Sequence, residues 1–234
     1  MLVSAALALF PAFGIAQVQE SSFRGNMVLS MGGDPFCQAV KVSRRIFLTA
    51  GHCARDILNA GADPKLELMS SSKGLRVKVA LARPPRLHPS YAQNAERLEM
   101  AEFFRGALFE EVYKEILDLG LIEIDIDTPG IPTALFSASP LREGRKIALL
   151  RDFDCRSGQE RIAPSTIESL SDNLANIPAS ICEGTSGGGI FDEEDGGLIA
   201  ITGASAVNPD KTDWAIGVRL DNPSAWEWLE AIIP

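Results

Sequence analysis

Short apolar runs recur along this chain at strand length: NMVLSM (26–31), FCQAVKV (36–42), RIFLTA (45–50), LRVKVALA (75–82), LGLIEIDI (119–126), RKIALL (145–150), GGLIAITGA (196–204) and WAIGVRL (214–220). They are rich in β-branched and aromatic residues and are separated by Gly, Pro, Asp or Ser, the residues that end strands and make turns. Strands repeated without alternating helices exclude a parallel α/β sheet and predict an all-β sandwich or barrels. Residues 126–140, IDTPGIPTALFSASP, hold three prolines and little charge, and read as a connector between two β halves. The halves are then an N-terminal one over 17–128 and a C-terminal one over 129–234.

Two stretches depart from the β pattern. Residues 94–117, NAERLEMAEFFRGALFEEVYKEIL, are good helix formers with apolar residues at Leu98, Ala101, Phe104, Leu108 and Val112. Near the end, Asn222 stands before Pro223 as a helix start, and the spacing predicts a closing helix that turns Trp226, Leu229 and Ile233 inward. At 234 residues the chain can bury a sizeable core. Its formal net charge of −9 argues against a nucleic-acid partner, which selects a basic footprint. Residues 1–16 are apolar, uncharged and end in GIA, which reads as a secretory signal cleaved before Gln17, leaving no membrane insertion afterwards. Cys37, Cys53, Cys155 and Cys182 form an even set that suits an oxidising compartment and contains no Cys-x-x-Cys of a structural zinc site. Four cysteines allow three pairings, among which spacing does not choose.

The chain has two histidines, His52 and His88, so any imidazole base is one of them. His52 closes an apolar strand in FLTAGHC, whereas His88 stands in RLHPSY, a turn that reads as surface. Strand parity selects a carboxylate: counted along DLGLIEIDID, Asp118 shares its face with Gly120, Ile122, Ile124 and Ile126, opposite Glu123, Asp125 and Asp127. An acid on an apolar face needs a hydrogen-bonding partner, and an imidazole N–H would supply one. The serine candidate is Ser186, in ICEGTSGGGIF (181–191), where glycines surround a hydroxyl that packing does not require. Its Gly-x-Ser-x-Gly pattern suits an α/β-hydrolase elbow, but that fold needs a histidine after the serine and none follows position 88. The surviving order is His52, Asp118, Ser186.

LTAGHC, DLGLIEI and CEGTSGGGIF resemble, in order, the three signature segments of the chymotrypsin-like (trypsin-fold) serine proteases. Weaker similarity runs through FCQAV, LHPSY, LIAITGA and IGVRLDNPSAWEWL, so the resemblance spans nearly all of the chain after the leader. It implies two six-stranded antiparallel β-barrels, a closing helix, and a cleft in which His52 and Asp118 meet Ser186. The implied activity is hydrolysis of protein or peptide substrates through an acyl-enzyme, with no metal or organic cofactor. Gly184 and Ser186 would aim backbone N–H groups at the oxyanion. A Cys37–Cys53 bridge would fix the backbone under His52, leaving Cys155 and Cys182 as a second pair or as buried thiols. Ser180, Ala204, Ser205 and Ala215 would line the primary pocket, favouring a small or apolar side chain.

The chain also departs from the pattern. Thr185 replaces the aspartate that, in zymogen-type members, pairs with a new N-terminal ammonium. His52 and Asp118 are 66 positions apart, more than the family shows, and the excess is the helical stretch 94–117. That insertion reads as a solvated amphipathic decoration, with a lid over the cleft as the other reading. A non-catalytic binding protein on the same fold, or an esterase with the same three residues, stays open as well.

Overall fold

The computed structural model describes residues 25–61, 64–70, 75–104, 107–150, 162–207 and 213–233. Residues 1–16, read as a secretory signal, and Cys155 lie outside them. The first half contributes β1 (Asn26–Met31), β2 (Asp34–Lys41), β3 (Ile46–Thr49), β4 (Leu66–Ser70), β5 (Leu75–Val79), β6 (Arg86–Leu87) and β7 (Gly120–Glu123). They form an antiparallel sheet in the order β5-β4-β1-β2-β3-β7-β6. The second half contributes β8 (Lys146–Leu150), β9 (Ile162–Thr166), β10 (Ser169–Leu170), β11 (Leu174–Ile177), β12 (Gly189–Asp192), β13 (Leu198–Val207) and β14 (Asp213–Arg219). Its sheet is also antiparallel, in the order β10-β11-β14-β13-β12-β8-β9.

Each sheet has seven strands where six were expected, and the extra one has a physical cause. Beyond β5 the chain pairs with the end of β7, through a Leu81–Ile124 bridge and an Ala82 N–H to Glu123 carbonyl bond of 2.8 Å. Pro84 and Pro85 then interrupt the ladder, because proline has no N–H to donate, and pairing with β7 resumes at β6. Likewise β9 pairs with β8 while β10, three residues on, pairs with β11. In each half one bent path joins both margins of the sheet. Each is therefore a closed six-stranded barrel with one broken strand.

Two core clusters fill the barrels, one around Leu29, Phe47 and Ile122, the other around Ile147, Ile177 and Ile190. A third joins the halves and takes residues from both, among them Leu48, Leu121, Ile201 and Val218. The helices serve this shared core. α2 (Pro89–Phe104) and α3 (Ala107–Lys114) bury Leu98, Ala101, Val112 and Tyr113 in it, so the insertion is not a solvated decoration. α2 begins five residues before the stretch read from periodicity, at Pro89.

That start buries His88, which was expected at the surface and is 2% exposed. Its Nδ1 accepts the Ser90 N–H (3.2 Å), leaving Nε2 to face the Ser224 carbonyl at 3.4 Å, with Trp228 edge-on against the ring. Burial lowers the His88 pKa, and the Ser224 carbonyl opposes this in part. The closing helix α4 (Pro223–Glu230) is capped as its sequence promised: the Asn222 side chain accepts from Ser224 N–H and Ala225 N–H. Leu229 turns inward, but Trp226 is 40% exposed and only meets Phe136 edge-on, because Trp228 takes the inner position.

Candidate active site

His52 does not end a strand. After β3 the chain turns at once into α1 (Gly51–Asn59), with His52 in its first turn. The helix has no capping side chain at Ala50. Asp118 takes that role from a distance, accepting the His52 backbone N–H on Oδ1 at 2.9 Å. Its Oδ2 accepts the His52 ring at Nδ1 (2.8 Å) and the Tyr113 hydroxyl (2.8 Å). Asp118 is wholly buried, while the His52 side chain is 32% exposed. Gly51 is required here: a Cβ would lie 2.8 Å from Asp118 Oδ1 and 2.8 Å from the Tyr91 ring.

The electrostatics follow from these contacts. Burial alone would push the Asp118 pKa up, but the His52 charge and the bonds from its ring, from Tyr113 and from the His52 amide together hold it below the ordinary carboxylate value. Burial, reinforced by the Asp118 charge, pushes the Tyr91 phenol well above its usual value. A carboxylate acceptor fixes the proton on Nδ1 of His52 and leaves the lone pair on Nε2.

Ser186 comes from the second half, on a loop of two successive turns. Thr185 N–H bonds the Cys182 carbonyl (3.0 Å) with Gly184 at φ +87°, and Gly188 N–H bonds the Thr185 carbonyl (3.1 Å) with Gly187 at φ +83°. A closing bond with positive φ at the third residue is the type II signature, which glycine alone adopts without strain. Among the described residues, no backbone carbonyl meets the N–H of Gly184 or Ser186. The Ser186 Oγ donates to the Gly203 carbonyl at 3.4 Å.

The loop docks on the first half. The Ser186 carbonyl accepts the Gln38 N–H at 2.7 Å and lies 3.7 Å from Sγ of Cys53, the residue after His52. Gln38 is held in turn by Thr49 and Asn26, and Asn26 accepts the Gly189 N–H at 2.9 Å. Cys53 is bonded to Cys37, so the Ser186 backbone rests on a disulfide that leads directly to His52. Cys182 is also disulfide-bonded. Thr185 is buried, its hydroxyl 3.7 Å from Cys182 Sγ, which carries no proton and can only accept. Cys37, His52 and Cys53 bring their ligand atoms within 4.8 Å of one another, yet the disulfide consumes both sulfurs and leaves no thiolate for a metal.

The four pocket residues scatter in environment. Ser180 and Ser205 are exposed and Ala204 is half-buried, but Ala215 is fully buried in the second barrel's core opposite Ile177. Two residues at the site were not singled out in the sequence, Tyr113 and Gly203. Tyr113 sits on the apolar face of its helix, a pattern that signals packing and hides a hydroxyl.

The chain overlays solved structures over most of its length. Against neuropsin, a serine protease expressed in the limbic system of mouse brain, the TM-score is 0.61 at 16% identity, covering 90% of this chain and 95% of that one. Against kallikrein-related peptidase 10 it is 0.62 at 16% identity, covering 91% and 96%. The fold is that of the chymotrypsin-like serine proteases. A third match is Rv3671c of M. tuberculosis, in an inactive form with one serine changed to alanine: TM-score 0.59, 14% identity, covering 99% of each chain. No protein-family model and no curated protein matches the sequence.

Proposed function

We propose that this chain is a secreted serine endopeptidase, with His52, Asp118 and Ser186 as its catalytic residues. The observation that carries the reading is the His52–Asp118 pair, buried on the carboxylate side and open on the imidazole side, next to a glycine-built turn that presents Ser186. In the reaction, Ser186 Oγ attacks the substrate carbonyl and its proton passes to His52 Nε2. His52 then protonates the leaving amine as the acyl-enzyme forms. Water repeats the sequence and frees the serine. Asp118 keeps the proton on Nδ1 and stabilises the imidazolium. The amides of Gly184 and Ser186 would receive the oxyanion, each such donor contributing about 10²–10³-fold in rate.

The assignment of Ser180, Ala204 and Ser205 to the substrate pocket stands beside this as part of the proposal, and a small or apolar side chain is the expected preference. The division into halves at residue 128, export through the leader 1–16 and a Cys155–Cys182 bridge belong to the same reading. The Cys37–Cys53 disulfide supports an oxidising compartment, and no helix among the described residues is long and apolar enough to cross a membrane.

Reaction of the purified protein with a fluorophosphonate probe tests the reading: labelling is expected in the wild type and absent in Ser186→Ala. Labelling without cleavage of any member of a peptide library would make the chain an esterase. No labelling of the folded wild type would leave a binding module on a protease fold.

A further inference from the structure

We propose that Tyr113, delivered by the inserted helices, is a positioning residue for the His52–Asp118 pair, seated in a socket that exists because residue 203 is glycine. The inference rests on the serine-hydrolase reading above and assigns the insertion a part in that site. Three observations converge on it. The Tyr113 hydroxyl donates to Asp118 Oδ2, the same oxygen that receives the His52 ring. A Cβ at Gly203, on β13 of the other half, would lie 1.9 Å from that hydroxyl, so any side chain there displaces it. The next residue, Lys114, gives its carbonyl to Asn173 Nδ2 at 2.8 Å, which ties the end of α3 to the second half. The insertion thus grips both barrels and ends on the carboxylate.

The consequence is electrostatic and geometric. One carboxylate oxygen serves two donors, so Tyr113 draws off charge that would otherwise act wholly on the imidazole. The titratable groups that face Asp118 are His52 from α1, Tyr91 from α2 and Tyr113 from α3, with the Arg55 guanidinium over the Tyr91 ring, 5.8 Å from its centre. Gly203, whose Cβ position the Tyr113 hydroxyl takes, and Val218, which borders that same position from the second half, carry no charge. Without the hydroxyl the carboxylate holds an imidazolium more tightly and is itself less firmly oriented.

Two variants test this, each followed by the rate of fluorophosphonate inactivation against pH and by the downfield Nδ1–H proton resonance of His52. Tyr113→Phe deletes one oxygen and keeps the ring that stacks on Phe109. Gly203→Ala keeps the tyrosine and evicts its hydroxyl. Each is expected to lower the inactivation rate roughly ten- to a hundredfold, the usual weight of one hydrogen bond to a charged group. Each should also move the acid limb to higher pH and shift the resonance. Because both act on one contact, the double variant is expected to fall little further than either alone. An unchanged pH profile and resonance in both single variants, or fully multiplicative losses in the double, would overturn the proposal while leaving the hydrolase reading intact. A wild type that never reacts would remove the hydrolase reading instead. The resonance then decides by itself: a shift in Tyr113→Phe supports the positioning role and an unmoved one overturns it.

Discussion

At the scale of single residues, Asp118 holds a charge where water does not reach it, and three donors make that tolerable. Because its folded pKa lies below the unfolded value of about 3.9, the native state binds fewer protons there than the unfolded chain. The stability it contributes is therefore complete above that unfolded value and is lost as pH falls through the folded one. Asp118→Asn keeps the shape but cannot accept from all three donors. Urea unfolding is expected to show a variant less stable than wild type at pH 7, with a flatter decline between pH 5 and 3. Parallel profiles would mean that Asp118 does not govern the acid limb. The same variant is expected to lose about 10⁴-fold in turnover, since an amide favours the wrong imidazole tautomer. Parity had marked Asp118 as buried, and it is, but the argument was incomplete. β7 is covered on both sides, Leu121 facing the shared core and Ile122 the first barrel, so its neighbours Leu117 and Leu119 are buried too.

At the scale of elements, what could be read was what packing repeats. The eight apolar runs all lie on or beside strands, and the closing helix and its Asn222 cap were visible as local chemistry. Asn222→Ala is expected to lower stability by about 1 kcal/mol, seen as a small drop in melting temperature, with fluorophosphonate labelling unchanged; a loss of labelling would tie α4 to the site. Hidden elements have specific causes. β4 alternates only until Met69 follows Leu68, β9 carries Pro164 and β11 sets Ala175 beside Leu174, so none sustains a clean alternation. α1 follows β3 with a single residue between, and GHCARDILN begins with glycine and offers no capping side chain of its own. Its cap, Asp118, is distant in sequence, and no local pattern could have announced it. The same holds for Tyr113, whose role depends on a gap at Gly203.

At the scale of the whole molecule, the site exists only where two closed barrels are pressed together, and the contacts that do this are polar as well as apolar. The buried Lys41 donates to the Thr128 and Ile131 carbonyls (2.6 and 2.9 Å), fixing the connector to the first barrel. Leu198 N–H bonds the Leu135 carbonyl and fixes it to the second (2.7 Å). Between them the Cys37–Cys53 bridge meets the Ser186 carbonyl at the seam. Replacing both cysteines by serine removes a cross-link over a 16-residue separation, which costs about 3 kcal/mol in the chain-entropy account. For a chain of this size that corresponds to a fall of roughly 6–12 °C in melting temperature. A staple acting on the unfolded chain alone would leave the folded protein reacting as fast as before. This bridge also supports the first turn of α1 beneath His52 and the backbone of Ser186, so loosening it frees both ends of the proposed proton transfer. The variant, assayed well below its new melting temperature, is therefore expected to react with the fluorophosphonate several-fold more slowly than wild type. An unchanged rate in the folded variant would confine the disulfide to stability and place the alignment of the two barrels in the Gln38–Asn26 network instead.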